Sequence, residues 1–320
     1  MIIVWRVLNR CNLSCPFCAY DKRLDIDRSE AQPEKVLAFI NVLRQWQVRH
    51  KRQVLLSWLG GEPFLWSELE ALTHAAHGAG VRVSTTTNGT ALNSQRVREH
   101  VLETYSELTV SIDGFANFHD NMRGWRGAFG KLKTGVCDLI AERRACASTL
   151  TLRANVVLMA DNVRTFGELC QELATWGIDE ICFNQLGGRD RPEFYPAHQL
   201  NLDDITWLEA ELPALRAALE LQGTRLIGGP DYLRRIRGAS QGEVFPVPEC
   251  RIAESFLFID ERGHIAPCSF TPDHFARNIS EIETADDLDA LITDLLTTQK
   301  RRPAVDCANC PSTQQFAKWN

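Results

Sequence analysis

The run Ile2-Ile-Val-Trp-Arg-Val-Leu8 is followed, after Asn9-Arg10, by Cys11-Asn-Leu-Ser-Cys15-Pro-Phe-Cys18. The first stretch is short, apolar and rich in β-branched residues, which reads as a strand. The second therefore hangs three thiols on the loop that leaves the strand. Spaced by three and then two residues, three thiolates can wrap one face of an iron–sulfur cube and leave one iron without a protein ligand, open to a small chelator. A zinc knuckle short of its fourth ligand, or a set of buried thiols, is the competing reading. Zinc sites usually keep the two-residue spacing in both pairs and often add His.

Beyond this loop the pattern repeats. Further strand-like runs lie at Val54–Leu59, Val81–Thr87, Leu108–Ile112, Leu150–Leu158 and Glu180–Asn184. Between them, apolar residues three and four apart mark helices over Lys35–Val48, Leu69–His77, Ser94–Thr104, Phe129–Arg144 and Val163–Trp176. Pro33 stands near the first turn of one helix and Gly177 just past the end of another. Such alternation requires parallel strands with right-handed crossovers, in a doubly wound sheet or a partial or full barrel. After Gly187-Gly188 come a Pro- and Arg-containing loop, a helical stretch Leu202–Leu221 that Pro213 is expected to kink, and a Gly/Pro-interrupted region up to Pro248. The reading divides the chain into a core (1–196), a helical extension and linker (197–249) and a small C-terminal domain (250–320).

Composition sets the surroundings. The 320 residues are 44% hydrophobic, with 35 basic against 41 acidic side chains and a net charge of −6. No basic run invites a nucleic acid or an anionic membrane, and no stretch nears the ~18 apolar residues of a membrane span. With no signal-peptide pattern, a cytoplasmic location is expected. Eleven cysteines are many for such a protein, and in a reducing compartment metal is the first explanation to test.

A second group of cysteines lies near the C-terminus: Cys250, Cys268, and Cys307-Ala-Asn-Cys310. The stretch Phe256-Leu-Phe-Ile-Asp260 and the turn around Gly263 read as a β-hairpin that brings Cys250 and Cys268 together. Cys307 and Cys310 then close a four-thiolate site, whose spacing suits iron–sulfur and zinc alike.

Three cysteines in this spacing, with the aromatic Phe17 before the last, resemble the defining loop of the radical S-adenosylmethionine (radical SAM) superfamily. The resemblance implies a [4Fe–4S] cluster on Cys11, Cys15 and Cys18, with the amino and carboxylate groups of SAM on the fourth iron. It also implies an α/β fold, a partial (β/α)6 TIM-type barrel with its chemistry at the C-terminal mouth. Gly60-Gly61-Glu62-Pro63, ending the second strand, corresponds to the segment that holds the SAM amino group. Ser84-Thr-Thr-Thr87-Asn88-Gly89 sets hydroxyls at the third strand's end, where a solvated edge is the plainer reading. Ser111 and Asp113 are expected near the ribose or substrate. Arg153, in phase with Asn155, is a candidate partner for the SAM carboxylate. The C-terminal group resembles the Twitch domain, the shortened relative of the SPASM domain. It implies a second [4Fe–4S] cluster on Cys250, Cys268, Cys307 and Cys310.

The expected chemistry is reductive cleavage of SAM to a 5′-deoxyadenosyl radical, which takes a hydrogen atom from an unactivated C–H bond. The four-thiolate cluster takes up a second electron, and an external reductant of flavodoxin or ferredoxin type supplies the first. The substrate is expected to be a small metabolite, since the chain opens directly into its first strand without a leader-binding domain. Cross-linking or epimerisation of a ribosomal peptide is the alternative, and a structural zinc-binding module is the reading from another class. Cys182 and Asn184 share one face of the sixth strand, so Cys182 is the candidate hydrogen donor if that face looks into the barrel. Glu254, Asp260, Asp273 and His274 are near enough in sequence to the second cysteine group to supply a base.

Overall fold

The protein, described here by a computed structural model over residues 1–247, 249–316 and 318, is built on one ten-stranded sheet. Pro248, the end of the interrupted region, lies outside the described residues. The first six strands are β1 (Ile2–Leu8), β2 (Leu55–Gly60), β3 (Arg82–Thr87), β4 (Glu107–Ser111), β5 (Thr151–Leu158) and β6 (Glu180–Gln185). Each is parallel to its neighbour in sequence. Because the order never reverses, the winding is that of a partial barrel and not of a doubly wound sheet.

The crossovers are helical: α1 (Pro33–His50), α2 (Leu69–Gly78), α3 (Gln95–Thr104), α4 (Ala116–Arg123), α5 (Ala128–Ala145) and α6 (Phe166–Trp176). Pro33 opens α1, and Val36, Phe39, Ile40, Leu43 and Trp46 form its buried stripe. Phe39 meets Trp5 of β1 edge to face, with ring centroids 5.7 Å apart. Gly177, at φ +92°, ends α6 in the left-handed cap that glycine adopts without strain.

Past β6 come the one-turn α7 (Tyr195–His198), α8 (Leu202–Glu220), the short β7 (Arg225–Leu226) and α9 (Pro230–Ser240). An Asn201/Asp204 capping box starts α8, which runs on through Pro213. The expected hairpin is present as β8 (Phe256–Ile259) and β9 (His264–Ala266), followed by the one-turn α10 (Pro272–Phe275), β10 (Arg277–Asn278) and α11 (Ala285–Arg301). Its first strand also pairs in parallel with β1, Ile2 opposite Phe256 and Trp5 opposite Ile259, so one sheet runs through both ends of the chain. On the inner face of that junction Ile2, Val4 and Leu59 pack with Ile252, Phe256, Phe258 and Cys250. No helix among the described residues is long and apolar enough to cross a membrane.

Candidate active site

All eleven cysteines are unbridged. The first three leave the C-terminal end of β1 and turn back at once, the Cys18 amide donating to the Cys15 carbonyl at 3.1 Å. Two thiols already accept backbone N–H groups: Cys11 Sγ from Leu13 at 3.4 Å and Cys18 Sγ from Tyr20 at 3.4 Å. Donors of this kind favour the thiolate, the form that binds iron. Burial opposes them and pushes the Cys15 thiol up to about 12, with Arg123 pulling it back and the charges of Cys18 and Cys11 adding to the rise. Loading iron must therefore displace protons from a crowded set of thiols. Among the described residues no three His, Cys, Asp or Glu side chains are arranged to hold a single metal ion.

The glycine pair of β2 exists because of this loop. Gly61 donates to the Leu8 carbonyl and Glu62 to that of Arg10, both at 3.0 Å. A Cβ on Gly61 would lie 2.2 Å from the Arg10 carbonyl oxygen and 2.9 Å from the Cys11 nitrogen, so only glycine lets β2 close on the cysteine loop. Glu62 turns away from solvent altogether. Its carboxylate accepts Thr87 Oγ1 at 2.7 Å and the amides of Asn88 and Phe64 at 2.7 and 3.2 Å. Burial outweighs these donors and raises its carboxyl to about 7. Contact between this segment and an amino group would thus fall to the backbone around Gly60 and Gly61, with Glu62 holding the β2 and β3 ends together. Asn88, beyond β3, reaches the loop with Nδ2 at 2.8 Å from Asn12 Oδ1 and 3.8 Å from Cys11 Sγ.

Arg123 is a site residue that no motif in the sequence singled out. From the last turn of α4 it sets Nη2 2.6 Å from Asp113 Oδ2 and Nη1 3.9 Å from Cys15 Sγ, with its guanidinium 5.5 Å from the Phe17 ring. Asp113 is wholly buried: Oδ1 accepts the Val157 amide at 3.0 Å, and its own amide donates to His119 Nδ1 at 3.1 Å. Asp113 therefore anchors Arg123 and the end of β4. Ser111, at the end of β4, sits opposite Asn155 and is nearly buried.

Arg153 lies opposite Thr109 and Glu180. Its Nε donates to Glu180 Oε2 at 2.8 Å, and Nη1 stands 3.3 Å from Glu107 Oε2. The guanidinium proposed for a SAM carboxylate is thus committed to two carboxylates of the protein. Cys182 does look into the barrel. Its Sγ lies 3.2 Å from Asn155 Oδ1, which also accepts Asn184 Nδ2 at 2.8 Å, while Phe183 on the outer face packs against Phe166 of α6. Lys318 donates to Asn184 Oδ1 at 2.7 Å and is almost fully buried beside this polar layer.

The other four cysteines gather around the hairpin. Burial is the main cause that raises each of Cys250, Cys307 and Cys310, the last to about 11. In all three cases the neighbouring thiols of the group add to the rise, which places the four within one electrostatic neighbourhood. The closing loop is pinned from both sides, Val247 donating to the Cys307 carbonyl and Cys310 to that of Phe245, both at 2.9 Å. Two of the three carboxylates considered as bases are otherwise engaged: Asp260 accepts the Arg262 and His264 amides at 2.9 and 2.8 Å, and Glu254 pairs with Arg251.

Residues 5–143 match the family model of the radical SAM superfamily. An AdoMet-dependent heme synthase of Methanosarcina barkeri (strain Fusaro / DSM 804) is 26% identical over 297 residues, covering 88% of this chain and 79% of that protein. The Fe-coproporphyrin III synthase of the same strain is 28% identical over 186 residues, 58% of this chain, and the chain spans 44% of that relative's length. Of solved structures, native anSMEcpe with bound AdoMet has a TM-score of 0.69 at 16% identity, covering 99% of this chain and 88% of that one, a likeness of fold. Residues 5–143 are thus similar to a radical SAM domain, a family that implies a [4Fe–4S] cluster and SAM, and the named relatives are enzymes.

Proposed function

We propose that this chain, whose residues 5–143 are similar to a radical SAM domain, is an oxidoreductase that removes a hydrogen atom from an unactivated C–H bond of a small metabolite. The observation that carries the reading is the three-thiol loop at the C-terminal end of β1, closed over by Gly61 and Asn88 and faced by Arg123. The donors suit an iron–sulfur cluster: thiols, backbone N–H groups aimed at sulfur, and a guanidinium beside Cys15. When bound, the cluster and SAM supply a 5′-deoxyadenosyl radical as the hydrogen-abstracting agent. The protein's part is positional. Cys11, Cys15 and Cys18 hold the cluster, the Gly60-Gly61 backbone lines the place for SAM, and Arg123, fixed by Asp113, balances the thiolate charge.

A second, Twitch-type cluster on Cys250, Cys268, Cys307 and Cys310 is part of the proposal, as acceptor of the electron left when a substrate radical becomes a carbonyl or double bond. An external flavodoxin- or ferredoxin-type protein supplies the first electron. A cavity of about 460 Å³ at the end of β6 is of a size that suits a small substrate. The Fe-coproporphyrin III synthase and the heme synthase, both makers of small molecules, support the same choice.

Anaerobically reconstituted protein should convert SAM to 5′-deoxyadenosine when given dithionite, with iron and sulfide near roughly eight each. Cys15→Ala should abolish the conversion, because two thiolates cannot hold the cube. The parent rate in that variant, or stoichiometric zinc in place of iron, would end the proposal. The role of Cys182 as hydrogen donor is tested by Cys182→Ala with product analysis in deuterated water. An unchanged product of net oxidation eliminates the donor and leaves dehydrogenation. A shunt product supports return of a hydrogen atom from the thiol.

A further inference from the structure

The cavity at the end of β6 lies between the two cysteine groups. Its wall includes Asp190, whose charge is felt at Cys18, and Asn309, the neighbour of Cys310. Tyr195, Tyr232, Phe270 and Phe316 give it aromatic faces. The one buried charged side chain in its lining is Arg235 of α9, which is 9% exposed.

Arg235 is held in place but not neutralised. Its Nε donates to the Cys310 carbonyl at 3.2 Å and Nη2 to Asn309 Oδ1 at 3.4 Å, and the guanidinium lies 4.6 Å from the Phe245 ring and 5.6 Å from that of Phe316. Nη1 is buried with no hydrogen-bond partner among the described residues. Among the described residues no carboxylate forms an ion pair with it, and the two acids of the cavity wall, Asp190 and Glu243, are on its exposed rim. Arg189, also on the rim, is already paired with Asp306 at 3.2 Å. A buried guanidinium whose Nη1 lacks a partner is costly unless something anionic completes it. The flat fork matches a carboxylate, and aromatic walls match an apolar body behind it.

We propose that this cavity is the binding site for a small organic acid, its carboxylate held by Arg235 and its apolar body by the surrounding rings. The inference rests on the proposed function in that the bound acid is the substrate, and it narrows that substrate to the carboxylate-bearing class. Arg235 is thereby a specificity-determining residue, while the thiol loops remain as described.

The test compares 3-phenylpropionate with the isosteric 3-phenylpropanamide on the reconstituted full-length protein, by ligand-observed NMR and calorimetry. The acid should bind at least about tenfold more tightly than the amide, since a charge-assisted hydrogen bond separates them. Arg235→Met should erase that preference and Arg189→Gln should keep it. Because Arg235 also touches the Cys310 loop, iron content is measured in the variant. Ala239→Trp, which fills the cavity from α9 without replacing the guanidinium, should abolish binding of the acid independently. Equal affinity for acid and amide, no binding of the acid at millimolar concentration, a preference that survives Arg235→Met, or binding that survives Ala239→Trp each overturns the inference. SAM cleavage is assayed on the same preparations. Its failure would sink the proposed function, whereas normal cleavage with no acid preference would sink only the acid site.

Discussion

Glu62 shows how a motif residue can serve its site without facing it. Its carboxylate ties Thr87 and Asn88 to the end of β2, and Asn88 in turn touches Asn12 and Cys11. Burial raises this carboxyl from 4.5 to about 7. The folded state therefore holds a proton over an interval in which the unfolded chain has released it, and stability falls as pH rises from the lower value through the upper. The loss is on the order of 3 kcal/mol across the whole interval. Glu62→Gln removes the titration and keeps an acceptor, so its urea midpoint should change much less between about pH 5 and about pH 8 than that of the parent. A parent midpoint that does not fall over this range would show that the carboxyl is ionised throughout, stabilised by its three donors.

At the scale of elements, the C-terminal cysteines belong to a hairpin and a loop, whereas the first three belong to the β1 exit, so the two groups draw on different local structure. Cys310→Ala should lower iron by about half while SAM cleavage stays detectable, because three remaining thiolates leave the second site incomplete without touching the first. Iron lost from both sites together would show that the hairpin's metal is needed to hold the sheet. The elements themselves were largely legible. Alternation of apolar runs and helical stripes located β1 to β6 and five of their helices to within a few residues, since each element buries a periodic face. What escaped has a physical reason. The two-residue β7 carries no periodic signal, α9 is concealed among Gly and Pro, and the partnership of β8 with β1 joins residues some 250 positions apart in sequence. At the site, spacing alone revealed the thiols. The engagement of Arg153 with Glu107 and Glu180, and of Asp113 with Arg123, depended on which side chains share the barrel interior, which no motif records.

Across the whole molecule, the pairing of β8 with β1 makes the two ends of the chain one structural unit. Leu257 is fully buried between Ile3 on β1 and the helices, in the same core as Trp5 and Trp58. Arg6 of β1 adds a tie to the hairpin turn, 2.5 Å from Glu261 Oε2, and also donates to Tyr20 in the cysteine loop at 2.9 Å. Strain in the hairpin should therefore be felt at the opposite end of the sequence. Leu257→Ala removes a buried side chain and should cost about 2–5 kcal/mol. If the ends unfold together, that cost appears in full in the tryptophan fluorescence transition, seven of whose eight reporters, Trp5 and Trp58 of β1 and β2 among them, precede the hairpin in sequence, and the same midpoint is seen by far-ultraviolet circular dichroism. A C-terminal part folding on its own would behave otherwise: the tryptophan transition would stay at the parent midpoint while a smaller, earlier loss of ellipticity appeared. The single shifted transition is the expected result, since no sheet edge separates β8 from β1 and the core is continuous across them.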